Sequence, residues 1–213
     1  SYAMKQIAVF VSGGGTNLQA LIDAQNRGEI SGGRLALIVA SNPNAYALKR
    51  AEQNGIPSLV VSRKGCASLE EFGKKLLAVL EDACIDLVVL AGYLSILPEM
   101  VTSRYANRII NIHPALIPSF CGDGYYGLHV HEAALARGVK LTGATVHFVN
   151  EITDGGPIIA QRAVPVQEGD TPETLQRRVM EEAEWKLLPE AVSLFCEGRL
   201  RVSDGKVTIL PKP

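Results

Sequence analysis

An open, mostly parallel α/β sheet is the architecture this sequence predicts, with helices on both faces and a strand-and-helix extension toward the C-terminus. Three observations predict it. Short apolar runs alternate with longer stretches of helical spacing through the first half of the chain. The runs lack the polar alternation of half-exposed strands, so they suit parallel strands covered on both faces. Glycine, proline and asparagine cluster at the junctions, where β–α units must turn. Repeated β–α units place their crossover helices on both sides of one sheet, which is a Rossmann-like arrangement.

Lys5 to Val11 carries Ile-Ala-Val-Phe-Val and predicts the first strand. Ser12-Gly13-Gly14-Gly15-Thr16-Asn17 follows, and Leu18 to Ala24 takes up helical spacing. Leu35 to Ala40 is a second buried strand, Asn42-Pro43-Asn44 interrupts the chain, and Ala45 to Asn54 predicts a helix closed by Gly55. Ile56 to Ser62 is the third strand. Ser68 with Glu71 forms a capping box for a helix ending near Ala83. Asp86 to Ala91 is the fourth strand, Pro98 opens a short helix, and Arg108 to His113 is the fifth strand.

The second half departs from this pattern. Pro114 to Gly127 is a long polar and aromatic loop, and long loops in compact domains are more often functional than idle. His131 to Gly138 predicts a helix. Thr142 to Asn150 alternates, Thr145, His147 and Val149 against Val146 and Phe148, which predicts a strand with unlike faces. Asp154-Gly155-Gly156 is a turn, and Pro157 to Val166 is another strand. Asp170, Pro172 and Glu173 open a long helix to about Glu197, which Pro189 should kink or divide. Leu200 to Leu210 predicts a hairpin about Asp204-Gly205. With no repeat or linker, residues 4–213 are expected to form a single domain, and Ser1-Tyr2-Ala3 before Met4 reads as a cloning scar.

At 213 residues the chain can bury a core without disulfide or metal staples. A net charge of -1 argues against a nucleic-acid-binding surface spread over the protein. No apolar stretch approaches the ~18 residues of a membrane span, and the N-terminus lacks a signal-peptide pattern, so a cytoplasmic location is expected. Cys66, Cys84, Cys121 and Cys196 form no Cys-x-x-Cys pair and read as reduced thiols.

Three places carry candidate chemistry. The glycine loop at Gly13, Gly14, Gly15, Thr16 and Asn17 joins a strand to a helix, where unpaired amides can receive an anion. It is neither a Walker A loop nor a good dinucleotide fingerprint, because Leu18 stands where the third glycine belongs; a ligand-free tight turn is the plain alternative. Asn111 and His113 share one side of the fifth strand at its carboxyl end, where open parallel sheets bind ligands. An amide can donate to an oxyanion and an imidazole can carry a proton, although a histidine capping a strand end is an equal reading of the local pattern. Asp154, in its glycine-flanked turn, reads locally as a turn aspartate bonding its own backbone; folded over the site, its carboxylate would favour the imidazolium of His113. His129, His131 and His147 lack further ligands at recognisable spacing, and no metal is expected. Trp185 reads as packing.

Taken together, Ser12-Gly-Gly-Gly-Thr-Asn17, Leu90-Ala-Gly-Tyr93, Asn111-Ile-His-Pro114, Leu128-His-Val-His131, Thr145-Val-His-Phe-Val149, Asp154-Gly-Gly-Pro157, and Gln161 with Val164-Pro-Val166 resemble the folate-dependent formyltransferases, from about Met4 to Leu210. The resemblance is nearest to the branch that formylates glycinamide ribonucleotide in purine synthesis. It implies direct transfer from 10-formyltetrahydrofolate, as co-substrate, to the amine of a phosphoribosylglycinamide, with no metal and no covalent enzyme intermediate. It puts the catalytic trio on Asn111, His113 and Asp154. It puts the phosphoribosylglycinamide on Gly13 to Asn17 with Glu184, and the folate on Tyr93, Leu94, Ser95, Ile96, Leu97, Asn111, Asn150 and Asp154. Small-molecule substrates and a monomer or homodimer are what it implies for partners.

The sequence departs from the family at Ala115, where many members have serine, and at Leu94-Ser95, where many have Met-Arg. The loop from Phe120 to Gly127 is longer than in the shortest members. Two alternatives remain at this stage: a formyltetrahydrofolate hydrolase, which usually carries an N-terminal regulatory domain, and a non-catalytic phosphate sensor, which gives no reason for Asn111, His113 and Asp154 together. A tRNA formyltransferase would need a larger, basic C-terminal domain. A nicotinamide-dependent reductase would need an acidic residue closing the second strand, where Ala40-Ser41-Asn42 stands.

Overall fold

The computed structural model describes residues 3–213, so Ser1 and Tyr2 of the leading tripeptide lie outside the described residues. Seven strands form the main sheet: β1 (Lys5–Val11), β2 (Gly33–Ala40), β3 (Ser58–Val60), β4 (Leu87–Leu90), β5 (Ile109–His113), β6 (Leu141–Phe148) and β7 (Ile158–Pro165). Their spatial order is β3-β2-β1-β4-β5-β6-β7. The first five are parallel, and β6 and β7 are antiparallel to their neighbours.

Strand alternation divides the core between two faces. Ile7, Val9 and Val11 of β1 point to one side, with Leu18, Leu21 and Ile22 of α1 (Thr16–Asn26). That side also takes α2 (Ala47–Gln53), α5 (Leu128–Arg137), α6 (Pro172–Val179) and α7 (Trp185–Cys196). Ala8 and Phe10 point to the other side, onto Phe72, Leu76 and Leu80 of α3 (Leu69–Asp82) and Val101 of α4 (Glu99–Arg104). The β1 strand therefore has no solvent face, as its unbroken apolar run predicts. The Ser68 hydroxyl caps α3 by accepting from the Glu71 amide at 3.0 Å. A hairpin, β8 (Leu200–Ser203) and β9 (Lys206–Ile209), turns at Asp204-Gly205, both with positive φ.

Two sequence expectations need correction. The alternating strand was expected to have unlike faces, but nearly all of β6 is buried, because helices and the 114–127 loop cover both sides. The long C-terminal helix does not divide at Pro189, which lies inside α7. The irregularity is a π turn over Met180–Glu184, immediately upstream of α7. Pro189 is the fifth residue of α7, so the carbonyl it leaves without an i+4 donor is that of Trp185, at the start of the helix. No helix among the described residues is long and apolar enough to cross a membrane.

Candidate active site

The loops leaving β1, β4 and β5 lie side by side at the carboxyl edge of the sheet, because Phe10 pairs with Leu90 and Leu90 with Asn111. At ~4.8 Å per strand, the glycine loop stands roughly 10 Å from the strand carrying His113. Antiparallel β6 then sets His147 opposite Asn111, and Thr145 opposite His113.

At β5 the expected trio is assembled. His113 is buried; its Nε2–H donates to the Phe120 carbonyl at 2.8 Å, and its Nδ1 lies 3.7 Å from Asp154 Oδ2. A carbonyl only accepts, so the proton of neutral His113 sits on Nε2 and Nδ1 is bare toward the carboxylate. Asp154 takes a left-handed conformation, φ 53, and accepts from the Gly122 amide at 2.9 Å. Gly156 lets this turn close, since a Cβ there would stand 1.7 Å from the Phe148 carbonyl oxygen. The aspartate thus reaches over the site instead of bonding its own backbone.

The electrostatics correct one expectation. Asp154 does push the His113 pKa upward, but burial outweighs it and holds the imidazole below its ordinary 6.5. Burial pushes Asp154 up, but His147, the Gly122 amide and His113 together hold it below 3.8. The resting pair is therefore neutral histidine and ionised aspartate at neutral pH.

His147, read in the sequence as one residue of an alternating strand and weighed only as a metal ligand, lies against Asn111 and Asp154. Its Nδ1–H donates to the Phe148 carbonyl at 2.8 Å, which fixes the tautomer. Its Nε2 is then an acceptor, and Asn111 Nδ2 donates to it at 3.2 Å. This orients the amide and leaves its second N–H unassigned. His147 Nε2 also lies 3.7 Å from Asp154 Oδ1. Alternation along β6 placed Thr145 and His147 on one face; only the antiparallel pairing with β5 turns that face into a site.

Thr145 braces the start of the long loop. Its hydroxyl donates to the Ala115 carbonyl at 2.8 Å and accepts from the Ile117 amide at 3.1 Å and from Gln161 Nε2 at 3.0 Å. The loop is held directly behind His113 without a hydroxyl at position 115. His131 of α5 is wholly buried, neither ring nitrogen has a partner, and burial with nearby His113 brings its pKa down to about 4.

The glycine loop opens α1. Gly15 is its N-cap with φ 75, and a Cβ there would meet the Ala47 side chain at 2.7 Å. Gly13 and Gly14 are exposed at the sheet edge, and Thr16 is half-buried beside them. Asn17 is buried and donates from Nδ2 to Glu184 Oε1 at 3.1 Å, while its own Oδ1 has no partner. The π turn delivers Glu184 to this contact. Burial, opposed by the Asn17 bond, raises the Glu184 carboxyl to about 7. The loop and Glu184, far apart in sequence, thus meet as expected.

The expected folate segments sit on the same edge. Leu94 and Ile96 are exposed, and the Leu94 amide donates to the Ser12 hydroxyl at 2.8 Å, tying the β4 loop to the glycine loop. Tyr93, Leu97 and Val149 each pack, half-buried, against the core on the α3 side of the sheet. A cavity of about 410 Å³ lies beyond them, lined by Thr102, Ser103, Phe148, Val149, Asn150 and Glu151 among others. Of the expected folate residues only Asn150 lines that cavity, and its side-chain oxygen is taken by the Ile152 amide at 2.9 Å. Among the described residues there is no cluster of His, Cys, Asp and Glu able to hold a metal ion.

The formyl transferase family matches residues 5–192. A phosphoribosylglycinamide formyltransferase of Haemophilus influenzae is 41% identical over 202 residues, covering 95% of this chain and 92% of that protein. The crystal structure of glycinamide ribonucleotide transformylase 1 from Symbiobacterium toebii is similar at a TM-score of 0.91 and 43% identity, covering 98% of this chain and 95% of that one. A formyltetrahydrofolate deformylase from Pseudomonas syringae is similar at a TM-score of 0.86 and 29% identity, over 98% of this chain and 66% of that one.

Proposed function

The chain belongs to the formyl transferase family, and we infer that it transfers the formyl group of 10-formyltetrahydrofolate to the amine of 5-phosphoribosylglycinamide, a step of purine biosynthesis. The observation that carries this reading at the site is the meeting of Asn111, His113 and Asp154 beside a glycine loop on one sheet edge. Both substrates are small molecules, and the reaction belongs in the cytoplasm.

The phosphate rests on the amides of Gly13 to Thr16, at the N-terminus of α1, where the helix dipole favours an anion. Glu184, with Asn17, accepts from the polar hydrogens of the ribosyl-glycinamide part. The folate lies along Tyr93 to Leu97 and the 150–154 turn; exposed Leu94 and Ile96 offer an apolar surface to its flat rings.

The amine nitrogen attacks the formyl carbon, and the carbonyl pair moves to oxygen. Asn111, oriented by His147, donates its second N–H to that oxyanion. His113, neutral in the resting site, takes the proton that the attacking nitrogen must lose and returns it to N10 of the folate. The C–N10 bond then breaks, giving the formylated amine and tetrahydrofolate. Asp154, 3.7 Å from Nδ1, stabilises the imidazolium while it lasts.

The test is turnover. Purified protein with both substrates should release tetrahydrofolate, followed by absorbance, only when the ribonucleotide is present, and His113→Ala should abolish it. Release without the ribonucleotide would assign the deformylase reaction instead. Absence of folate binding would overturn the reading.

A further inference from the structure

Four consecutive carbonyl oxygens around the glycine loop are each tied down. Ser12 O accepts from Asn42 Nδ2 at 3.0 Å, Gly13 O from the Ala47 amide at 3.1 Å, Gly14 O from Arg50 Nε at 2.7 Å, and Gly15 O from the Gln19 amide at 2.8 Å. With every carbonyl held by a neighbour, the amides of Gly14, Gly15 and Thr16 have no protein acceptor among the described residues. Three of the four ties come from the β2–α2 connection and the first turn of α2, and Ala47 of that turn is pressed so closely under Gly15 that no side chain fits there.

Arg50 is the cationic tie. Besides Gly14 O it donates from Nη1 to Gln19 Oε1 at 3.1 Å, and its guanidinium lies 5.1 Å from the centroid of the Tyr46 ring. It therefore links α2, the glycine loop and the first turns of α1 in one fixed pose. No salt bridge among the described residues engages it, so its positive charge is left to the space around the loop. Asn17 adds an independent sign of a ligand: it is buried at 8% exposure with an unpartnered Oδ1 at the same helix terminus.

We propose that Arg50 is a positioning residue for the phosphate of the ribonucleotide. It pins the Gly14 carbonyl away from the anion, so that the neighbouring amides face it, and it supplies an uncompensated positive charge behind them. The proposal rests on the reading of the glycine loop as the phosphate end of the site. A planar fork that donates in two directions while stacking on an aromatic ring is a task lysine performs only in part.

The test compares wild type, Arg50→Gln and Arg50→Lys, with 5-phosphoribosylglycinamide and with the same riboside lacking its phosphate. Binding of inorganic phosphate is measured separately by titration calorimetry. Arg50→Gln should raise KM for the phosphorylated substrate by ~10- to 100-fold, the span for loss of a hydrogen bond to a charged group. It should weaken phosphate binding in parallel, lower kcat by no more than about threefold, and leave KM for the folate and kcat/KM for the riboside unmoved. Arg50→Lys should recover part of the loss. A KM and a phosphate affinity within about twofold of wild type would overturn the proposal. So would kcat, both KM values and the melting temperature moving together, which would make Arg50 a structural brace only. Wild type that binds phosphate but transfers no formyl group would sink the proposed reaction and leave the role of Arg50 to be judged on phosphate binding alone.

Discussion

If His147 serves catalysis by orienting Asn111, removing both should cost no more than removing Asn111 alone. The Asn111 amide has two N–H groups; one is spent on His147 Nε2 at 3.2 Å and the other is left for the oxyanion. Asn111→Ala deletes an oxyanion donor, for which ~10²- to 10³-fold in kcat is the usual loss. His147→Ala deletes one neutral hydrogen bond that fixes a rotamer, worth ~0.5–1.5 kcal/mol, or about 2- to 12-fold. Once Asn111 is alanine, His147 has nothing left to orient, so the double variant should lie within about twofold of Asn111→Ala. The assay is tetrahydrofolate release at saturating concentrations of both substrates, with melting curves to confirm folding. Losses that multiply would refute the orienting role and move the action of His147 to Asp154, which faces it at 3.7 Å. A loss below about tenfold in Asn111→Ala would refute the oxyanion role itself.

Other outcomes follow from buried groups. Glu184 has a folded pKa of about 7 against an ordinary 4.5, so its burial costs stability increasingly as pH rises from 4.5 to 7; Glu184→Gln should gain on wild type across that window by up to ~3 kcal/mol, read from urea unfolding. His131, lowered to about 4 from 6.5, acts in the opposite sense, because the unfolded chain takes the proton first and stability falls as pH drops below 6.5. His131→Leu should therefore flatten the acid side of the unfolding free energy between pH 6.5 and 4, by ~3 kcal/mol at the low end, and an unchanged slope would contradict the assignment. NMR titration of His113 in the free protein should give a midpoint below 6.5; a midpoint above it would mean that Asp154 outweighs burial. Thr145→Val leaves the Ile117 amide and Gln161 without their shared acceptor, so it should cost ~1–3 kcal/mol in the same unfolding assay and lower kcat by loosening the segment behind His113.

What could be read from the chain and what could not divides along a physical line. The first β–α units declared themselves because β1 and β4 are near-continuous apolar runs and α3 opens on its own Ser68 cap, so local chemistry suffices there. Asn111 and His113 were legible for the same reason: one strand places both on one side by its period of two. Asp154 was not, since its own turn offers an ordinary structural use for it; only the family resemblance brought it to the site. Its reach depends on Gly156 passing against the Phe148 backbone and on a loop amide from Gly122, a contact across 32 positions. His147 was seen as part of an alternating strand, but its partner is fixed by antiparallel register with β5, which no local pattern encodes.

The sign of the His113 shift failed for a related reason. A neighbouring carboxylate can be guessed from a motif, whereas the burial that outweighs it is created by the 114–127 loop and β6 closing over the ring. This has a consequence for the chemistry. An imidazolium held permanently by Asp154 would be a fixed cation, able to stabilise an oxyanion but slow to release its proton. A histidine kept neutral by burial, with a carboxylate 3.7 Å from its bare nitrogen, can accept a proton and is stabilised only while it carries it. Transfer between two nitrogens through one tetrahedral carbon needs that second behaviour, since the proton must leave the attacking amine and arrive on the departing one. In the reaction proposed above, the balance between a costly burial and a nearby counter-charge is what would fit His113 to carry the proton.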